Sequence, residues 1–189
     1  MRPAALCLVV IMLGGFARVL PAQQPLPHRF DIAVGAGVSS DMERTFDTRF
    51  DVGGAVHVAA YYRLFEKRAM FVGLGYDWYR SSFQPGLPTT LDKEAWYVSL
   101  NFRFDVADVQ QTLAPYLSTG IGYGRAIIHT QDFWSPNFDV NLPSTSVHFG
   151  VGMNINCFAH SSLFTDFKAF VSEESAFAYG ITAGYRVRL

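Results

Sequence analysis

Long apolar runs are scarce in this chain. Beyond the first 22 residues, no stretch approaches the ~18 consecutive apolar residues of a membrane-spanning helix. Cysteine is scarcer still: Cys7 lies in the N-terminal apolar segment, and Cys157 stands alone in the rest. A single remaining cysteine excludes an intramolecular disulfide, and Cys157 reads as a free thiol in a turn. Charged residues are 16% of the chain and sum to −1, which excludes the basic excess of a nucleic-acid-binding domain. Against these shortages stand 15% aromatics and 16 glycines. Several of the glycines fall inside strand-like segments, where they weaken an ordinary soluble sheet.

The N-terminus reads as a secretory signal. Met1-Arg2 is a short positive end, Ala4 to Gly15 is an apolar core, and Leu20-Pro21-Ala22 precedes Gln23-Gln24. Such a segment is removed after export. The expected organisation is a signal peptide over 1–22, a polar leader over 23–29 and one domain over 30–189.

Within that domain the dominant signal is alternation with period two. In Ala176 to Leu189, Phe177, Tyr179, Ile181, Ala183, Tyr185, Val187 and Leu189 form one apolar row. Ala178, Gly180, Thr182, Gly184, Arg186 and Arg188 form a small, polar row. Seven earlier segments share the rule: 30–38, 50–64, 69–82, 94–104, 115–128, 144–156 and 162–171. Pro85, Gly86 and Pro88 mark a loop over 84–93, and 129–143 reads as the longest loop. The expected fold is all-β: an eight-stranded, antiparallel, up-and-down transmembrane β-barrel. With both ends on the periplasmic side, loops 39–49, 84–93, 129–143 and 172–175 face outward from the cell.

The composition of the polar row decides which face meets lipid. A water-facing row is dense in Lys and Glu. This one is mostly Gly, Ala, Ser, Asn and Tyr, which suits a narrow interior filled by side chains. The apolar row carries Tyr76, Trp78, Trp96, Phe104, Phe177 and Tyr185 near strand ends, as an interfacial aromatic girdle does. The inward row also holds Asp31, Asp51, His57, Arg63, Asp77, Arg103, Asp166, Lys168, Arg186 and Arg188. In a dry interior these charges must pair, so they are expected to form a structural network that braces the lumen. Eight strands leave no open pore.

The signal, the alternating strands, PYLSTGIGYG (Pro115 to Gly124) and the terminal GYRVRL (Gly184 to Leu189) resemble the small outer-membrane β-barrel superfamily. That group includes the membrane domain of outer-membrane protein A. The resemblance spans essentially the whole mature chain. It implies residence in the bacterial outer membrane among lipid and lipopolysaccharide, and insertion by the barrel-assembly machinery. That machinery reads a terminal aromatic in relatives, where this chain has Leu189. No peptidoglycan-binding segment follows the eighth strand here, so anchoring by that route is not expected.

Chemistry-bearing motifs are sparse. His160-Ser161-Ser162 faintly resembles the His-x-Ser-Asn pattern of lipid A deacylases, with Leu163 in place of Asn. His129 with Ser172, Glu173, Glu174 and Ser175 forms a second candidate set at the outer rim. A nucleophile needs its base and acid within hydrogen-bond reach, and nothing in the spacing establishes that. Gly120, Gly122 and Gly124 are spaced by two with no helix following, which is a strand row and no phosphate loop. His57 and His148 face inward without further ligands, so lumen hydrogen bonding is the reading. Asp132, Phe133, Trp134 and Phe138 either mark an exposed binding surface or rest on the barrel rim. The expectation is a non-enzymatic barrel without metal or cofactor. It would serve envelope integrity, or contact an unidentified surface ligand through its outer loops. A lipid-modifying enzyme and a narrow conduit for small hydrophobic solutes are the alternatives.

Overall fold

The structure is a computed structural model that describes residues 29–43, 48–49, 52–65, 70–83, 89–106, 111–132, 138–158, 160–173 and 175–189. The signal over 1–22 and all but Arg29 of the leader lie outside these residues. Eight long strands follow one another: β1 Phe30–Glu43, β2 Gly53–Arg63, β3 Met70–Phe83, β4 Thr89–Asp105, β5 Leu113–Asp132, β6 Phe138–Phe158, β7 Ser161–Ser172 and β8 Ser175–Arg188. A two-residue segment, Thr48–Arg49, pairs back onto the end of β1. Each strand is antiparallel to the next, and β8 pairs with β1 from Asp31↔Arg188 to Glu43↔Ser175. The sheet therefore closes on itself.

Closure is what a bilayer demands. Lipid offers no hydrogen bonds, so a spanning sheet must satisfy its own backbone and cannot keep a lipid-exposed edge. The seam is tied at the ends as well: Arg29 and Phe30 N–H both donate to the Leu189 carbonyl, at 3.2 and 3.3 Å. The shortest strand has 11 residues, enough to cross with the usual tilt.

The alternation inferred from sequence holds through the apolar belt of the strands. On the outer face Leu74, Ile121 and Phe149 are 64%, 53% and 62% exposed. Water does not tolerate an apolar exterior that encircles the whole sheet, whereas lipid does. The inner face is polar and packed. Its glycines make room for large neighbours across the ladder. A Cβ on Gly152 would come within 2.2 Å of the Tyr116 ring carbon Cζ, and the two residues are direct cross-strand partners. Gly152→Val should therefore cost about 1–3 kcal/mol by overpacking. Ala36→Val, on the lipid side of β1, should stay within about 0.5 kcal/mol. Urea midpoints of the refolded barrels check both, and equal midpoints would reverse the assignment of the two faces.

Four strand ends run four or more residues beyond the sequence-based boundaries. The expected loops 39–49, 84–93 and 129–143 are in large part strand: β1 runs on to Glu43, β4 begins at Thr89, β5 continues to Asp132 and β6 begins at Phe138. The reason is an inversion of polarity. Above the apolar belt the outward row turns polar, with Arg125 and His129 on β5 and Asp139 and Asn141 on β6. The inward row turns apolar there, with Ile128 paired to Val140 and Ala126 to Leu142. A strand leaving lipid for water exchanges the solvents of its two faces, so a search for an outward apolar row stops too early.

Candidate functional site in the lumen and at the outer rim

Two groups of residues carry the chemistry of this barrel: the charges sealed in the lumen, and the sheet that rises above the lipid. In the lumen, Asp77 on β3 is the centre of the upper network. Its Oδ1 lies 2.7 Å from His57 Nδ1 and 2.9 Å from Lys168 Nζ. A carboxylate only accepts, so His57 carries its proton on Nδ1, and two donors converge on one oxygen. The 3.0 Å approach of Lys168 Nζ to the same Nδ1 is then a contact between neighbouring donors and no further bond. Asp166 adds a longer ion pair to Lys168 at 3.9 Å. His148 stands nearby, tilted against the Phe170 ring with centroids 5.5 Å apart.

The lower network is built on arginine. Arg103 on β4 donates from Nη2 to Asp31 at 2.7 Å and from Nε to Asp105 at 2.9 Å. Its Cζ sits 3.7 Å from the Phe71 ring centroid. Arg186 donates to Asn154, and Arg188 to Asn156. Arg103, Arg186, Phe164 and His148 are the largest wholly buried side chains described, and all four lie in the lumen. At the outer mouth a cavity of about 30 Å³ remains between Ser39, Tyr79, Ser81, Lys93, Tyr97 and Phe170, room for about one water.

Of the ten charges expected to face inward, eight are buried there: Asp31, His57, Asp77, Arg103, Asp166, Lys168, Arg186 and Arg188. Arg63 is half-buried, over the Phe71 ring at 5.9 Å. Asp51 lies outside the described residues. Sequence reasoning left out Asp105 and the buried Lys93–Asp41 pair. Both continue the parity of residues already placed inward, so extending the period past the assumed strand ends finds them.

Among the described residues the candidate nucleophilic sets are not brought together. His160 is exposed at the rim. Ser161 faces the lipid side and accepts the Tyr185 hydroxyl, while Ser162 is wholly buried in the lumen. Two consecutive strand residues necessarily face opposite ways. His129 Nδ1 instead meets Asp139 Oδ1 at 2.7 Å on the water-facing side of β5 and β6. Ser172 pairs with Ser146, seven residues along β6 from Asp139, or roughly 23 Å at ~3.3 Å per residue. Glu174 and the side chain of Ser175 lie outside the described residues. So do Phe133, Trp134 and the side chains of Asp132 and Phe138. Among the described residues no three His, Cys, Asp or Glu side chains converge on a metal position. Cys157 is a partly exposed free thiol at the end of β6.

At the outer rim β3, β4, β5 and β6 continue as a sheet beyond their neighbours. β4 pairs with β5 up to Thr89↔Asp132, and β5 with β6 up to Thr130↔Phe138. The pairing of β6 with β7 begins only at Ser146↔Ser172. Residues 138–145 thus form a strand with no ladder partner on that side among the described residues. Its length is roughly 26 Å at ~3.3 Å per residue. The outward face of this sheet is polar: Arg80 approaches Asp92 at 3.5 Å, and Trp78 Nε1 donates to Glu94 at 2.6 Å.

No protein-family model matches the chain, and no curated protein sequence does. Solved structures do match its fold. Neisserial surface protein A aligns with TM-score 0.65 and 16% identity over 85% of this chain and 97% of that one. A major outer membrane protein of Thermus thermophilus aligns with TM-score 0.59 and 13% identity over 86% and 100%. Ail, the attachment invasion locus protein of Yersinia pestis, aligns with TM-score 0.53 and 15% identity over 85% and 99%. Closed eight-stranded topology, an apolar outer face and a plugged polar lumen converge on one description: this chain has the fold of the small outer-membrane β-barrels.

Proposed function

We propose that this protein is a non-enzymatic surface-interaction barrel of the bacterial outer membrane, which meets its partner on the protruding β3–β6 sheet. The observation that carries the reading is the unladdered strand over 138–145. An edge strand is a template for an extended segment of another chain. Pro143 lacks an N–H and Asp139 is charged, and both features restrain indiscriminate pairing at such an edge. The filled lumen supports the same reading, because it leaves no path for a solute.

Charge narrows the partner. Ail was solved in complex with the heparin analogue sucrose octasulfate. Here the described outward rim carries Asp92, Glu94, Asp139 and Glu173 against Arg80 and Arg125, the Lys93–Asp41 pair being buried. An acidic rim repels a polysulfate, so the partner is better a neutral or basic peptide segment. Arg80 and Arg125, outward beside Trp78 and Trp96, suit lipopolysaccharide phosphates.

The test is to replace residues 127–141 by a tight Asn-Gly turn. The shortened barrel should keep its heat-modifiable migration in detergent gels and lose the adhesion of expressing cells to host surfaces. Unchanged adhesion, with detergent sensitivity appearing only when the whole protein is removed, would favour an envelope-integrity role instead. A change in the lipid A mass spectrum on removing the protein would favour the enzyme.

A further inference from the structure

The apolar wall of the barrel is not evenly filled. One cross-strand row on its lipid side reads Phe102, Thr119, Phe149, Ala169 and Tyr179 from β4 to β8. Large and small side chains alternate along it. The next row toward the periplasmic end is Phe104, Leu117, Val151 and Phe167. Beside the small Thr119 and Ala169 lies a groove of about 480 Å³, flanked by Phe104, Phe149 and Phe167. Ser118 and Gly150 also line it, although both positions face the lumen: Ser118 is buried, and a Cβ on Gly150 would meet Lys168 Cγ at 3.2 Å. The floor of the groove is therefore the strand backbone itself.

Position and chemistry identify what covers it. Phe104 is one residue from the periplasmic end of β4, and Leu117 is four residues from the start of β5 at Leu113. The groove thus runs from the periplasmic edge of the apolar belt toward its middle. Leu117, Phe149, Val151 and Phe167 around it are exposed on the outer face, so it opens to hydrocarbon and not to water. The Thr119 hydroxyl donates to the His148 carbonyl at 3.1 Å, so the wall needs no polar partner from outside. Inside a bilayer, packing decides what lies against such a wall. A gap forfeits the dispersion contacts of its lining, and a chain that follows the groove restores them. A second barrel does not reach the floor, because Phe149 and Val151 stand out from the wall and hold a rigid sheet away. A flexible methylene chain bends between the rings. At the periplasmic end, described residues 104–106 and 111–113 present no outward cation for a phosphate, and Asp105 is bound by Arg103.

We propose that this groove binds one acyl chain of a phospholipid from the periplasmic leaflet, laid against the β5–β7 wall from Phe104 up to Ala169. The chain is what the site recognises, and the headgroup is interchangeable. The site faces the leaflet opposite to the protruding sheet, so it is independent of the surface contact made there.

Native mass spectrometry of the full-length barrel tests the site, with palmitoyl-oleoyl phosphatidylglycerol, the matching phosphatidylethanolamine or lipid A added to the detergent micelle. One molecule of either phospholipid should survive the activation that strips the micelle, and both should survive equally. Ala169→Phe, which fills the groove, should lose the retained lipid. Ala36→Phe, on the lipid face of β1, should keep it. A phosphatidylglycerol with a diazirine midway along one acyl chain should label residues 117–119, 149–151 or 167–169 in vesicles, a readout that needs no variant. Label spread evenly over the eight strands would overturn the site. Equal lipid retention in the two variants, or retention of lipid A in preference to phospholipid, would overturn it too. A barrel dimer that Ala169→Phe dissociates would show that the groove holds a second copy instead of a lipid chain.

Discussion

Asp77→Leu should destabilise the barrel by about 3–5 kcal/mol, the penalty for leaving a buried charge without its partner. Asp77 is 1% exposed and receives both His57 and Lys168 on one oxygen. Its loss leaves the Lys168 ammonium inside the barrel with only the 3.9 Å approach of Asp166. The double variant Asp77→Leu with Lys168→Met should recover most of the loss, since removing both partners of a buried pair is often close to neutral. Equilibrium urea unfolding in phospholipid vesicles, followed by tryptophan fluorescence, measures both. Wild-type stability in the single variant would mean that water reaches Lys168 freely and that the lumen is not sealed.

The second large effect is expected on the opposite face of the same wall. Leu100 is 41% exposed on the outer surface between Leu74 and Ile121. Leu100→Arg should cost about 2–4 kcal/mol if that position lies near the bilayer midplane. Asn141→Arg, outward on the part of β6 above the lipid, should change stability by no more than about 0.5 kcal/mol. The contrast locates the upper boundary of the membrane on the strand. Equal costs at the two positions would mean that β5 and β6 do not protrude.

The His160-Ser161-Ser162 triplet shows why a motif match without register is weak. Consecutive strand residues are divided between lipid and lumen, so the histidine and its adjacent hydroxyls are not assembled by proximity in sequence. The protruding sheet shows the converse. The segment over 138–143 reads as loop because its outward row is polar, yet it is paired residue by residue with β5.

Strand number, closure type and the facing of nearly every lumen charge follow from the sequence alone. Each rests on a local period of two, and each strand meets the same two solvents, lipid outside and a packed polar core inside. The partners within that core depend on the stagger of strands around the closed barrel, which no local pattern carries. Arg103 finds Asp31 across 72 residues of chain, and Lys168 finds Asp77 across 91. The height of each wall is likewise a property of the assembled sheet. A strand extends as far as its neighbour continues to satisfy its backbone. For that reason only the tertiary structure leaves residues 138–145 without a ladder partner on one side among the described residues.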